Sequence, residues 1–301
     1  MGLRLKSIHI VVLTLGLSAC NAGIEEAKRL ARSCEAGQAA DCNKFAAKLQ
    51  KGEYTLKDHK RAATLFDTAC KADIGDACAS LGTVYLNGYG VKRDSARALS
   101  LLQKGCERQG MEGCARLGIL YREGAGVTRD LTRAISLLKQ SCDAGQMIGC
   151  SYLGTLYASG EGLGKDVGRA AQLFKQSCDA NVAYGCVGLG RLHLAGAGVS
   201  RNDSIAVSLF KKACFSGEPS GCFHRGVAFE TGVGERQELY IAAEMYREAC
   251  EDSYGEACAR LAMLYDRGAG VQRDAKQAAK FRKQACDVGY VEACVKPKAT
   301  A

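Results

Sequence analysis

Sixteen of the seventeen cysteines of this 301-residue chain form pairs that recur at a constant step of 36 residues. Every pair has the spacing Cys-x7-Cys, without exception. A constant step of this size indicates a stack of similar supersecondary units, each packing on its neighbours. Such a high cysteine content is typical of proteins exported from the cytoplasm to an oxidising environment, because disulfides persist there. The pairs are Cys34/Cys42, Cys70/Cys78, Cys106/Cys114, Cys142/Cys150, Cys178/Cys186, Cys214/Cys222, Cys250/Cys258 and Cys286/Cys294.

The first part of each repeat has the pattern of an amphipathic helix, which we name helix A. It is represented by Leu81-Gly82-Thr-Val-Tyr85, which recurs with some drift at the same step. Spacings of three and four residues place these side chains on one helical face, and the glycine allows a neighbouring helix to approach closely. A glycine-rich loop, Asn-Gly-Tyr-Gly-Val in this repeat, follows and ends the helix.

The second part of each repeat predicts another helix, helix B. An aspartate such as Asp94 precedes it at the position of a helix N-cap. An alanine such as Ala98 recurs in every helix B, and a bulky apolar residue follows three positions later, as in Leu101 and Leu137. Each unit is therefore helix A, a glycine-rich loop, helix B and a short turn. This pattern predicts an all-α fold of αα-hairpins.

The cysteine pairs are predicted to form eight disulfides across these short turns. One cysteine lies near the end of helix B and the other near the start of the next helix A, so antiparallel packing can bring them within bonding range. Zinc is the alternative for paired cysteines, but zinc sites favour two to four intervening residues rather than seven. We therefore expect no metal and no other cofactor.

Residues 1–19 have the pattern of a signal peptide, with Arg4 and Lys6 before a short apolar segment. The segment ends in Leu-Ser-Ala-Cys20, which resembles the lipobox of bacterial lipoproteins. In such proteins the cysteine is acylated and becomes the new N-terminus. Because Cys20 is also the one cysteine outside the pairs, lipid attachment accounts for it. An ordinary signal peptide that contains a cysteine is the alternative.

The predicted organisation has four parts. Residues 1–19 are the lipoprotein signal peptide, 20–40 the lipidated N-terminus with a partial helical cap, 41–292 seven repeats of 36 residues, and 293–301 a C-terminal tail. The repeats are predicted at 41–76, 77–112, 113–148, 149–184, 185–220, 221–256 and 257–292, as one continuous array. We expect a monomer.

The Leu-Gly-x-x-Tyr, Gly-x-Gly-Val and Asp94-Ser-Ala-Arg-Ala98 elements resemble Sel1-like repeats, which are related to tetratricopeptide repeats. With Cys-x7-Cys in each unit, the chain is most similar to the helicobacter cysteine-rich protein family. The resemblance covers residues 24–294. It implies a right-handed superhelical solenoid of αα-hairpins, and it is much less specific for function.

One face of helix A varies between repeats and predicts a groove that binds a partner protein or peptide. Large apolar residues mixed with single charges are typical of binding surfaces. The alternative is that this face packs against helix A of the next repeat. The candidate groove residues are Asn43, Arg122, Ile148, Thr155, Tyr184, Arg191, Phe223 and Glu230.

The resemblance also implies an alternative function, because members of the cysteine-rich family are commonly labelled penicillin-binding proteins or β-lactamases. Two Ser-x-x-Lys matches exist, Ser136 to Lys139 and Ser208 to Lys211. Both fall in the same helix B position, so they follow the repeat consensus, and the accompanying motifs are absent. We predict no catalytic residues. His193 replaces the tyrosine of the helix A pattern and is expected to be packed.

The formal net charge of +9 arises from acidic and basic residues that alternate without long runs. No aromatic-basic cluster accompanies them, so nucleic-acid binding is not expected. The preferred function is a lipid-anchored scaffold outside the cytoplasm that binds a protein or peptide through its groove. The predicted location is the bacterial envelope at the outer membrane, where the lipid attaches the chain to the bilayer and the protein faces the periplasm or the cell surface. The partner's identity is unknown.

Overall fold

The computed structural model describes residues 21–294, and within this range all regular elements are helical. Helix α1 covers 21–35, and a short 3-10 helix, Val291–Cys294, ends the described range. The all-α fold of paired helices is confirmed. The other helices are α2 (Ala39–Lys51), α3 (His59–Lys71), α4 (Gly75–Asn87), α5 (Ser95–Glu107), α6 (Met111–Glu123), α7 (Leu131–Asp143), α8 (Met147–Ser159), α9 (Val167–Asp179), α10 (Ala183–Ala195), α11 (Asp203–Phe215), α12 (Pro219–Thr231), α13 (Leu239–Glu251), α14 (Gly255–Arg267) and α15 (Ala275–Asp287).

The loop between helices A and B begins at a glycine in the left-handed region. Gly88, at φ 73°, ends α4, and its amide donates to the carbonyl of Val84. Gly196, at φ 62°, ends α10 in the same way. A side chain at such a position would be strained, so glycine is the residue that lets the chain leave the helix there.

Helix B begins at the predicted N-cap in most repeats. The Asp94 carboxylate accepts from the amide of Arg97, 2.9 Å away. Asn202 caps α11 with the same geometry. Glu238, in the corresponding position before α13, makes no capping bond through its side chain. Asp58, Asp130, Asp166 and Asp274 cap the remaining B helices.

Helices A and B of one repeat pack through small residues. The alanine of each helix B is fully buried, as in Ala98 and Ala242. Opposite it, a Cβ added to Gly82 of α4 would lie 2.8 Å from the Leu102 side chain of α5. A Cβ on Gly226 of α12 would lie 2.7 Å from the ring of Tyr246 in the same manner. The helix A glycine therefore makes room for a large side chain of helix B.

In most repeats this large side chain lies four residues after the alanine, one position beyond the apolar residue noted in the sequence. Leu102 and Leu138, four residues after the helix B alanine, are fully buried, whereas Leu101 and Leu137 at three residues are half-buried. A step of four residues along a helix turns a side chain through about 40°, and a step of three through about 60° the other way. The four-residue position is therefore closer to the direction of the alanine. The same position holds Phe66, Phe174, Phe210 and Tyr246.

Disulfides connect helix B to the following helix A, with Cα atoms 4.5–4.9 Å apart. The bonds join Cys34–Cys42, Cys70–Cys78, Cys106–Cys114, Cys178–Cys186, Cys214–Cys222, Cys250–Cys258 and Cys286–Cys294. Cys142 and Cys150 are also in disulfide form. The short turns place both cysteines at facing helix ends, as the repeat pattern predicts.

The helices form two compact units that divide between Gly149 and Cys150. The core of the first unit contains Phe45, Phe66 and Leu81 from successive helices. The core of the second contains Phe223, Tyr246 and Leu261 among others. The division falls inside α8, and no linker segment marks it. The sequence predicts one uninterrupted array and gives no sign of this division. The predicted signal peptide, Cys20 and the tail beyond residue 294 lie outside the described residues.

No helix in the described range combines the length and the apolar character that a membrane span requires.

Replacing Gly75 with alanine tests how tightly successive repeats are packed. Gly75 begins α4, and an added Cβ would overlap the carbonyl oxygen of Arg108 and lie 2.7 Å from the amide nitrogen of Gly110. Because both atoms belong to the backbone, the helices must move apart, at a cost of about 1–3 kcal/mol. The midpoint of thermal unfolding, followed by circular dichroism, should fall. Gly164→Ala is the control, because a Cβ there meets nothing within 4 Å. Equal midpoints for the two variants would contradict the packing described here.

Candidate functional site

The second unit contains a cavity of about 820 Å³ that is lined mainly by A helices. Residues of α8, α10 and α12 form its walls, and Tyr254, which precedes α14, closes one side. Three of the predicted groove residues, Thr155, Tyr184 and Arg191, line it together. The variable face of helix A therefore forms a concave surface in this unit.

Tyr184 is held in place by its neighbours in the cavity wall. Its ring stacks on that of Tyr152, with centroids 4.6 Å apart and an interplanar angle of 12°. Its hydroxyl lies 3.5 Å from the Thr155 hydroxyl, which is also 3.2 Å from the Ser151 carbonyl oxygen. The ring is half-buried, so one part of it is fixed while another part faces the cavity.

Arg191 differs from Tyr184 because no neighbour fixes its charge. Its side chain is exposed, and within the described residues it makes no hydrogen bond or ion pair. Glu218 lines the same cavity, but its carboxylate accepts from Ser220 instead, 2.6 Å from the hydroxyl and 3.3 Å from the amide. The cavity thus presents a guanidinium group whose donors are available to a ligand.

The remaining wall is apolar and aromatic. Ala158, Val187 and Leu194 supply the apolar part. His224 also lines the cavity and stacks on Phe210, with centroids 5.0 Å apart. Burial, and to a lesser extent the charge of Arg191, lowers the pKa of His224 to about 4. The imidazole is therefore neutral near pH 7 and adds no second cation beside Arg191.

Phe223 is a predicted groove residue, but it does not line the cavity and is only 3% exposed. Its ring packs against those of His224, Tyr246 and Tyr254, with centroids 5.2–5.7 Å away. Phe223 thus packs, although on rings of α12, α13 and the turn before α14 and not on the next helix A as the packing alternative predicts. Phe223 supports the cavity from beneath by holding His224 and Tyr254.

Glu230 also has a packing role. Its carboxylate accepts from the Tyr246 hydroxyl at 2.5 Å and lies 3.5 Å from Arg260. Burial, followed by the bond to Glu230, raises the pKa of Tyr246, so its phenol remains the donor. Because its carboxylate contacts both Tyr246 and Arg260, Glu230 connects α12 to α13 and α14. It does not line the cavity.

The three predicted groove residues of the first unit are half-buried on its A helices. Asn43 lies on α2, Arg122 on α6 and Ile148 on α8. The side-chain oxygen of Asn43 is buried and has no hydrogen-bond partner among the described residues. These residues belong to a different unit from the cavity.

Sequence reasoning missed several cavity residues, among them Glu218, His224 and Tyr254. Glu218 and Tyr254 are 36 residues apart, and both precede the first residue of a helix A. The repeat step would have found them if the variable face had been extended by half a turn before the helix. His224 gave no such signal, because its position in the cavity depends on the rings around it.

The Ser-x-x-Lys motifs lack the geometry of a catalytic pair. Ser136, Lys139, Ser208 and Lys211 are all exposed, and neither serine is hydrogen-bonded to its lysine in the described part of the chain. A serine nucleophile needs an adjacent base within hydrogen-bonding reach. His193 is half-buried, and its Nδ1 lies 3.1 Å from the Ser200 carbonyl oxygen, a contact across its own loop.

One cluster has ligand types that bind metals, namely Cys214, Cys222 and Glu248. Both cysteines are oxidised in one disulfide, so neither offers the thiolate that a metal site requires.

The chain is thus a repeat protein of paired helices with a concave, partly aromatic cavity, an arrangement suited to binding. Seven segments match the Sel1 repeat, at 46–74, 75–109, 112–146, 148–182, 183–215, 219–254 and 255–290, and the protein belongs to the Sel1 repeat family. Sel1 repeats form scaffolds for protein–protein interaction in general. No curated protein matches the chain.

The chain is also similar to three solved structures. A Sel1 repeat protein from Oxalobacter formigenes is 22% identical over 89% of this chain and 78% of its own, with a TM-score of 0.57. A protective antigen of uropathogenic Escherichia coli is 24% identical with a TM-score of 0.52, and the match covers 89% of this chain but only 57% of that one. Helicobacter pylori cysteine-rich protein B is 29% identical over 43% of this chain and 93% of its own, with a TM-score of 0.36.

Protonation of His224 should destabilise the second unit as the pH falls. The folded state lowers the pKa of this histidine from 6.5 to about 4, so the unfolded state binds the proton more readily. The stability that the neutral His224 contributes is fully present above pH 6.5 and is lost as the pH falls towards 4. Urea unfolding of wild type and His224→Phe at several pH values will measure it. The stability difference between the two proteins should change across this window, and NMR titration should give the same low pKa. A difference independent of pH would contradict the buried, neutral histidine.

Proposed function

We propose that this protein is a lipid-anchored scaffold that binds a peptide or protein segment in the cavity of its second unit. The observation that carries the proposal is the convergence of Thr155, Tyr184 and Arg191 on one cavity of about 820 Å³. Tyrosine and arginine are enriched among residues that dominate binding energy at interfaces. Thr155 comes from α8, and Tyr184 and Arg191 come from α10, the next helix A along the chain.

The form of the cavity supports a binding role. Pockets of about 300–1,000 Å³ with apolar walls and a few placed polar groups are the usual sites for ligands. The stacking of Tyr184 on Tyr152 holds the ring before a partner arrives, which reduces the entropy lost on binding. A peptide that lies along the A helices would meet the rings, the hydroxyls and the guanidinium in turn.

The predicted location agrees with this role. The many disulfides indicate an extracytoplasmic protein. A lipid on Cys20 would attach the scaffold to the envelope membrane, with its repeats available to periplasmic or surface partners. The hydrolase alternative lacks comparable support, since each Ser-x-x-Lys motif is an exposed, unbonded pair.

Removing the Tyr184 ring should weaken partner binding. Immobilised oxidised protein would be incubated with envelope extract, and retained partners quantified for wild type, Tyr184→Ala and Tyr240→Ala. Tyr240 is the matched control, because it is 65% exposed and lies on α13 outside the cavity. An interface aromatic of this kind contributes about 2 kcal/mol, so affinity should fall by about thirtyfold for Tyr184→Ala alone. Equal retention by the two variants would refute the assignment of the cavity.

Lipid attachment at Cys20 can be tested independently of binding. The mature protein from the membrane fraction should begin at Cys20 and carry acyl chains, which intact-mass measurement will detect. Cys20→Ala should abolish the acyl mass and release the protein into the soluble fraction. Asn21→Ala should keep the acyl mass and remain in the membrane fraction. An unacylated mature N-terminus at any other residue would contradict the lipoprotein assignment.

A further inference from the structure

We propose that the cavity of the second unit selects an acidic peptide, and that Arg191 binds an aspartate or glutamate side chain of that peptide. This inference rests on the proposed function and specifies the ligand. It is carried by the charge that the cavity presents and by the groups that surround it.

The first observation is that Arg191 has no structural partner. Several other arginines of the second unit are engaged: Arg282 donates to Asp266 at 2.7 Å, and Arg260 lies 3.5 Å from Glu230. Arg191 makes no such contact within the described range, although it lines the cavity wall. A guanidinium has five donors in a planar fork that matches a carboxylate in a bidentate pair.

The second observation concerns the acidic residue in the cavity lining. Glu218 lines the same cavity, but it caps α12 and its carboxylate is bonded to Ser220, as described above. An ion pair between Glu218 and Arg191 would compete with this cap, and the structure contains none. Glu218 thus remains a negative charge in the cavity wall, but it is not paired with Arg191, whose donors are left for a ligand.

The third observation is that the surrounding groups favour an acceptor over a cation. Burial keeps His224 neutral, so Arg191 is the one cation among the described residues that line the cavity. Burial also raises the pKa of the Tyr254 phenol, which therefore stays protonated and can donate. With the Tyr184 hydroxyl, the wall offers several donors near one fixed positive charge.

The size and the apolar part of the cavity distinguish a peptide from a small carboxylate. A volume of about 820 Å³ is much larger than one carboxylate and lies in the range of drug-sized ligands. Ala158, Val187 and Leu194 line it beside the polar groups. An extended peptide directs alternate side chains to the same side, so an acidic residue on Arg191 places the residues two positions away on this wall.

A library of N-acetylated, C-amidated octapeptides tests the inference, because capped termini leave side chains as the only charges. Wild-type protein should enrich peptides with aspartate or glutamate two positions from an apolar residue. For a selected peptide, replacing the acidic residue with its amide should weaken binding about tenfold or more. Arg191→Gln should show the same loss for the acidic peptide and none for the amide peptide. Arg191→Lys should recover part of it, because the charge remains without the planar fork.

Arg236→Gln is the matched control, since it removes one positive charge from a side chain that is 91% exposed and outside the cavity. It should bind like wild type. Selection of peptides without acidic residues, or an unchanged preference in Arg191→Gln, would overturn the inference. If that occurs while Tyr184→Ala loses the selected peptides, the cavity assignment stands and only the charge preference is wrong. If wild type enriches no peptide, the acidic inference fails, and the capture experiment with envelope extract decides separately on the cavity.

Discussion

Close packing of helix A on helix B is the constraint on which the rest of each repeat depends. A glycine on helix A leaves space for a large side chain of helix B, as Gly82 does for Leu102 and Gly226 for Tyr246. One face of helix A is thereby committed to its own repeat. The disulfide that follows helix B fixes the start of the next helix A, so successive A helices are placed by covalent and steric limits together.

The face of helix A that remains is free to vary, and in the second unit it forms the cavity. Its chemistry is mixed in a way that core packing does not require. Aromatic rings hold one another, while Arg191 has no structural partner. A charged group with available donors contributes little to folding when exposed. Its placement beside the protonated phenol of Tyr254 and the neutral His224 is the basis for the anionic ligand that we propose.

Sequence patterns predicted the helices, their caps and the disulfides with good accuracy, because each depends on neighbours within one turn or one hairpin. The interhelical details were less predictable. The large buried side chain of helix B lies four residues after the alanine in most repeats, as Leu102 and Leu138 show, but three residues after it in α15, where Phe281 is buried. Both positions lie near the alanine face, and only the partner helix decides between them. Phe223 was similarly ambiguous, since a variable apolar residue can face either a groove or another ring.

The 36-residue step by itself determined the repeat register, the pairing of the cysteines and the all-α class, because these follow from local geometry repeated along the chain. Tertiary structure decided which variable residues meet. Tyr184 and Arg191 share a cavity with His224 and Tyr254, whereas Phe223 and Glu230 are occupied by packing and by a hydrogen bond. Periodicity places a residue on a helical face, but burial and charge pairing depend on what neighbouring helices bring to that face.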